Sequence, residues 1–186
     1  MSNIKLILLD FDGTLADTKR ANGEAYIEAL REVGIHISLE QYNAKYFGMR
    51  CREFLRDVGI ECDEAARRLR RRKVEIYPNH FDSVRLNTPL WEWCQMMRRM
   101  GAKVWIVSTG HIDNITNVMQ HLSIRDGVDG IITGDDVERP KPYPDCFLKA
   151  MDIVGVTPAE TIIFEDSVYG LQSAKESGAT FVKISM

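Results

Sequence analysis

Five short apolar runs of strand length punctuate the chain: Ile4–Leu9, Lys103–Val107, Gly130–Thr133, Thr161–Phe164 and Thr180–Ile184. Between them apolar residues recur at helical spacing. Ile112, Ile115, Val118, Met119 and Leu122 make one stripe. Leu90, Trp93, Met97 and Met100 make another, opened by Thr88 as N-cap with Pro89 behind it and stopped at Gly101. Cys146–Val154 closes at Gly155, and Leu171–Glu176 at Gly178. Strands alternating with helices need crossover connections, which give a parallel sheet covered on both faces. The predicted class is α/β, a parallel sheet of about five strands flanked by helices.

Residues 16–87 break that alternation and read as helix after helix. Tyr26, Ile27, Leu30 and Val33 share a face that stops at Gly34, and Ser38-Leu39-Glu40-Gln41 has the form of a capping box. Glu53–Val58 stops at Gly59, and Asp63–Tyr77 stops at Pro78. A helical segment inserted after the first strand of a sheet is a candidate cap. The expected domains are a catalytic core of residues 1–15 and 88–186 and an all-helical cap of residues 16–87.

Charge narrows the function classes. The 186 residues carry a net charge of −3, which argues against whole-molecule attraction to nucleic acid or anionic membrane. The run Arg67-Arg68-Leu69-Arg70-Arg71-Arg72-Lys73 is basic, but its helix begins with Asp63 and Glu64. That order complements the helix dipole and offers the pairs Asp63–Arg67 and Glu64–Arg68, so a solvated face is expected. No apolar run approaches the ~20 residues that span a bilayer, and Met1–Lys5 lacks a signal-peptide pattern. Cys51, Cys62, Cys94 and Cys146 show no metal-binding spacing and read as free thiols. A cytoplasmic monomer is expected.

The chemistry sits at strand ends. Asp10 and Asp12 follow the first apolar run and, two apart on an extended chain, share a side while Phe11 points away. Two unit charges about 4 Å apart repel by roughly 4 kcal/mol at an effective dielectric near 20, so the pair calls for a cation or a shared proton. Ser108-Thr109-Gly110 follows the second run and offers a hydroxyl and backbone N–H groups at a helix start, suited to phosphate oxygens. Lys141 stands among Pro140, Pro142 and Pro144, which restrict where its ammonium points. Glu165-Asp166 follows the fourth run. Open parallel sheets bind ligands at the carboxyl ends of their strands, where all four loops fall.

In this order the four loops resemble the haloacid dehalogenase superfamily, in its phosphatase branch with a helical cap. The matching pieces are Asp10-Phe11-Asp12-Gly13-Thr14-Leu15-Ala16-Asp17, Ser108 in Val107-Ser108-Thr109, Lys141-Pro142-Tyr143-Pro144-Asp145, and Phe164-Glu165-Asp166-Ser167-Val168-Tyr169-Gly170. The resemblance covers essentially the whole chain and is nearest in pattern to phosphoglycolate phosphatases and β-phosphoglucomutases. It implies a Rossmann-like core and a Mg²⁺-dependent phosphatase acting on a small phosphorylated metabolite. By the same resemblance, Asp10 is the nucleophile that forms an aspartyl-phosphate, and Asp12 is the general acid and base. Asp10, the Asp12 carbonyl and Asp166 hold Mg²⁺, with Glu165 bound directly or through water. Ser108, Thr109 and Lys141 hold the transferring phosphoryl group, helped by backbone N–H groups of Phe11 and Asp12.

Asp12 favours phosphoryl transfer over dehalogenation, because a halide leaves without a proton. The mutase alternative stays open. β-Phosphoglucomutases carry a histidine where Asn22 stands here and an arginine that Arg50 or Arg52 could mimic. A non-enzymatic member that keeps the fold as a binding protein is the other alternative. Asn22, Arg50, Arg52 and Tyr46 are the cap candidates for substrate contact. His111 is expected at a helix start, contacting substrate or solvent.

Overall fold

A computed structural model describes residues 4–186; Met1–Asn3, part of the stretch read for a leader pattern, lie outside the described residues. The chain divides into two compact units, one made of the chain up to Asp17 plus Arg85–Met186, the other of Thr18–Val84.

The first unit is built on β1 (Leu6–Leu9), β4 (Lys103–Val107), β5 (Gly130–Ile132), β6 (Thr161–Glu165) and β7 (Thr180–Lys183). They form one sheet in the order β5-β4-β1-β6-β7, and every pairing is parallel. β1 is central and its four residues, Leu-Ile-Leu-Leu, are fully buried. An unbroken apolar strand is what a parallel sheet needs when both of its faces are covered. Helices α5 (Thr88–Arg99), α6 (Ile112–His121), α7 (Asp145–Val154) and α8 (Val168–Glu176) supply the cover. Leu6, Leu8, Val107, Ile132, Phe147, Met151 and Ile163 join one buried cluster.

Register sets the site. Leu9 lies opposite Ile106 on one side and Phe164 on the other, so the next residues in line are Asp10, Val107 and Glu165. Strand order also reverses around β1, which places the ligand crevice at these carboxyl ends.

Two short strands frame the second unit without belonging to its helices. β2 (Ala16–Asp17) pairs antiparallel with β3 (Arg85–Leu86), Ala16 opposite Leu86 and Asp17 opposite Arg85. The sequence reading made this stretch helical; two-residue strands carry no periodicity to find.

The second unit contains α1 (Lys19–Arg31), α2 (Leu39–Gln41), a π turn over Tyr42–Tyr46, α3 (Cys51–Asp57), α4 (Asp63–Ile76) and a 3-10 segment over Tyr77–Ser83. The Ser38–Gln41 capping box forms in both directions. Tyr26, Tyr42 and Tyr46 ring Phe54 with centroid distances of 5.1, 5.7 and 4.7 Å. At Gly23 a Cβ would collide with Tyr42, so the bare backbone is what lets this cluster pack against α1.

Three local expectations change. Asn87, not Thr88, caps α5, accepting from the Leu90 N–H, and the buried stripe is Leu90 and Cys94 while Met100 is exposed. Pro78 does not stop the chain's helical course but converts it to 3-10, since its missing N–H is tolerated in a first turn. Asp63 pairs with Arg52 at 3.0 Å instead of Arg67, because a residue at the helix start can reach the neighbouring helix.

Candidate active site

At the centre is a buried ion cluster. The Lys141 ammonium donates to Asp10 Oδ1 at 2.7 Å, to Glu165 Oε1 at 2.7 Å and to the Val107 carbonyl at 2.8 Å. Asp10, Lys141 and Glu165 are all buried, Glu165 completely. Asp166 joins from the next position on the β6 end, and Asp10, Glu165 and Asp166 each present a carboxylate oxygen within 4.8 Å of the others. Its Oδ1 accepts from the buried Thr14 hydroxyl at 2.9 Å.

Gly13 explains how the first loop reaches this close. Its φ is +91°, a conformation side chains resist, and a Cβ there would strike the Asp166 carboxylate. The Gly13 N–H meanwhile donates to the Ala16 carbonyl, folding the loop back on itself.

Electrostatics follow from burial. Desolvation pushes the Asp10 carboxyl well above its ordinary range; Lys141 opposes this, and the Glu165 and Asp166 carboxylates add to it. Asp166 is raised as well, by burial and by Glu165 against the Thr14 bond. Burial works against the Lys141 ammonium, yet Asp10 and Glu165 outweigh it and hold its pKa above the usual lysine value. When all three carboxylates are ionised, one ammonium leaves two negative charges, the deficit a divalent cation would balance. The donors are all oxygens, which suits a hard cation.

The other predicted residues of the sheet unit lie in the loops after β1 and β4. Phe11 is buried, and its carbonyl accepts from Leu15 and Ala16. Ser108 is buried at the β4 end, its Oγ accepting from the Gly110 N–H at 3.0 Å. A methyl group at Gly110 would lie 3.3 Å from both Asp12 Oδ2 and Ser108 Oγ, so those side chains border the same small gap. Thr109 is exposed between them in sequence. His111 caps α6, its Nδ1 accepting from the Asp113 N–H.

Within the helical unit, Asn22 is half-buried and hydrogen-bonded. Its Nδ2 donates to Thr18 Oγ1 at 3.1 Å and its Oδ1 accepts from Lys73 at 2.7 Å. Lys73 corrects the sequence reading, which placed it on a solvated basic face; it is 1% exposed. Its ammonium lies 3.5 Å from the Tyr77 ring centroid and 5.2 Å from that of Tyr26, a cation–π cage. The missed signal is spacing: Lys73 stands between Leu69 and Ile76 on the buried stripe of α4. Tyr46 donates to Asp57, Arg52 pairs with Asp63, and Arg50 precedes α3 as its N-cap.

Comparison with known proteins agrees with this geometry. The family model described as haloacid dehalogenase-like hydrolase matches residues 7–184. The fructose-1-phosphate phosphatase YqaB of Escherichia coli is 28% identical over 96% of this chain and 95% of its own length. The phosphoglycolate phosphatase of Aquifex aeolicus is 26% identical over 94% of this chain and 82% of its own. The crystal structure of CbbY from Rhodobacter sphaeroides in complex with phosphate superimposes with a TM-score of 0.88 at 23% identity, covering 98% of this chain and 87% of that one. With the motif residues gathered at the strand ends and the match running nearly end to end, the chain belongs to the haloacid dehalogenase-like hydrolase family.

Proposed function

We propose that the chain is a Mg²⁺-dependent phosphatase that hydrolyses a small organic phosphate monoester through an aspartyl-phosphate on Asp10. The observation that carries the reading is the buried Asp10–Lys141–Glu165 cluster with Asp166 beside it. Asp10 attacks phosphorus in line, which splits one slow displacement into two easier ones. Lys141 holds the attacking carboxylate in place at 2.7 Å. Asp12 gives a proton to the departing alkoxide and takes one from the hydrolytic water. Ser108 and the backbone N–H groups of the loops after β1 and β4 cradle the phosphoryl oxygens. Asp10, the Asp12 carbonyl and Asp166 would hold the cation, with Glu165 behind them. When bound, it neutralises phosphoryl charge and aligns the ester with Asp10.

Asn22 supports hydrolysis over phosphosugar isomerisation. It stands where the mutases carry a histidine, but it offers no acid–base group and its amide is engaged by Thr18 and Lys73. The relatives act on different phosphate esters, and the ester used here is not carried over from any of them. All four cysteines are free thiols, which supports a reducing cytoplasm, and no described helix is long and apolar enough to cross a membrane.

Hydrolysis of p-nitrophenyl phosphate, with Mg²⁺ and with chelator, tests the reading. Turnover is expected only with the cation, and Asp10→Asn is expected to lower kcat at least about a thousandfold by removing the nucleophile. Undiminished turnover by Asp10→Asn refutes the assignment.

A further inference from the structure

Among the described residues, the Glu165 carboxylate accepts hydrogen bonds from Lys141 and Ser167. Oε1 accepts from Lys141, while Oε2 accepts from the Ser167 N–H at 2.8 Å and from Ser167 Oγ at 3.0 Å. Ser167 Oγ in turn accepts from the Gly170 N–H at 3.0 Å. The Gly170 N–H can only donate, so Ser167 Oγ accepts from it and gives its single hydroxyl proton to Glu165 Oε2. Gly170 contributes a second feature of the same socket: a Cβ there would overlap the Glu165 carboxylate, so only a bare backbone leaves room for it. Ser167 is also the N-cap of α8. An N-cap needs only an acceptor, however, and a helix alone has no call on the hydroxyl proton.

We infer that Ser167 is a positioning residue: by donating both its N–H and its O–H to Glu165, it orients the carboxylate that holds the Lys141 ammonium against Asp10. The catalytic meaning of this inference rests on the phosphatase reading; the geometry does not. Glu165 is completely buried, so a donor lost at Oε2 is costly. Without the hydroxyl, Oε2 keeps one N–H donor and the carboxylate is less firmly oriented toward Lys141. Lys141 then loses a fixed partner, and Asp10 loses the fixed direction of its own.

Capping and positioning separate in the pair Ser167→Thr and Ser167→Gly. Threonine and glycine cap helices about equally well, but only threonine keeps a hydroxyl. Hydrogen exchange of lysine ammonium groups, followed by ¹H–¹⁵N NMR on the metal-free protein, reads the effect without turnover. The Lys141 signal is assigned by its loss in Lys141→Met, and the buried Lys73 of the helical unit serves as internal reference. Ser167→Gly is expected to speed Lys141 exchange at least about tenfold, the effect of one lost charge-assisted hydrogen bond. Ser167→Thr is expected to match the parent, and Lys73 to stay unchanged in both. In turnover of p-nitrophenyl phosphate, Ser167→Gly is expected to lower kcat about tenfold or more with KM within about twofold, and Ser167→Thr to restore it. Lys141 exchange that is equally slow in Ser167→Gly, or equally fast in Ser167→Thr and Ser167→Gly, overturns the inference. A parent protein that turns over no phosphate ester refutes the phosphatase reading and leaves the exchange result standing.

Discussion

A single ammonium carries much of the site. Lys141 is 4% exposed and has acceptors on three sides, two of them carboxylates from different strand ends. Removing one partner of a buried ion pair leaves uncompensated charge, at a cost of about 3–5 kcal/mol. Lys141→Met is therefore expected to lower the unfolding free energy by about that amount in urea titration, more than a lost aliphatic contact would explain. A change below about 1 kcal/mol would mean that the three carboxylates relax into water once the ammonium is gone. The carboxylates and the lysine were legible as residues, because Asp-x-Asp-Gly after a strand and a lysine among prolines have few dull explanations together. Their convergence was legible too, since the sequence reading sets Lys141 against the gathered carboxylates as well as toward the phosphoryl group; what the structure adds is the partners, Asp10, Glu165 and the Val107 carbonyl. Lys73 escaped because its cage of Tyr26 and Tyr77 is assembled from α1 and the start of the 3-10 segment.

Among elements, the five strands of the parallel sheet were read within two residues of their ends, because a short apolar run bounded by polar positions has little else to be. The helix ends were less legible where capping competes. Asn87 and Thr88 can both cap, and Asn87 wins because its Nδ2 also donates to the Thr14 carbonyl while its N–H donates to Leu15. The π turn at Tyr42–Tyr46 left no trace in the pattern. At the opposite end of the sheet from the site, β1 and β6 begin together: the Lys5 N–H donates to the Glu160 carbonyl, and their side chains pair at 2.6 Å. Lys5 and the Thr157 backbone and hydroxyl groups pull the Glu160 carboxyl from 4.5 to about 2. A carboxyl whose pKa is lower folded than unfolded stabilises the fold above its unfolded value and loses that contribution as pH falls through the folded one. Stability measured by urea is thus expected to decline between pH of about 4.5 and about 2, and Glu160→Gln to flatten that decline. An identical decline in Glu160→Gln would assign it to other carboxylates.

For the molecule as a whole, the α/β class and the presence of a helical insertion were legible, the first from alternation and the second from its interruption. The joint between them was not, since it consists of two-residue strands. Because Asp17 and Arg85 are paired across that joint, the chain leaves the sheet unit and returns to it at neighbouring positions. Replacing Thr18–Val84 by Asn-Gly would close β2 and β3 as a two-residue hairpin, the loop those strand ends favour. The shortened chain is expected to keep the far-ultraviolet circular dichroism of an α/β protein and to unfold cooperatively in urea. A non-cooperative transition would show that the sheet unit needs the insertion to fold. The same paired doorway has a wider consequence. Whatever enters through it can be exchanged, lengthened or reshaped without altering the strand register that gathers Asp10, Lys141, Glu165 and Asp166.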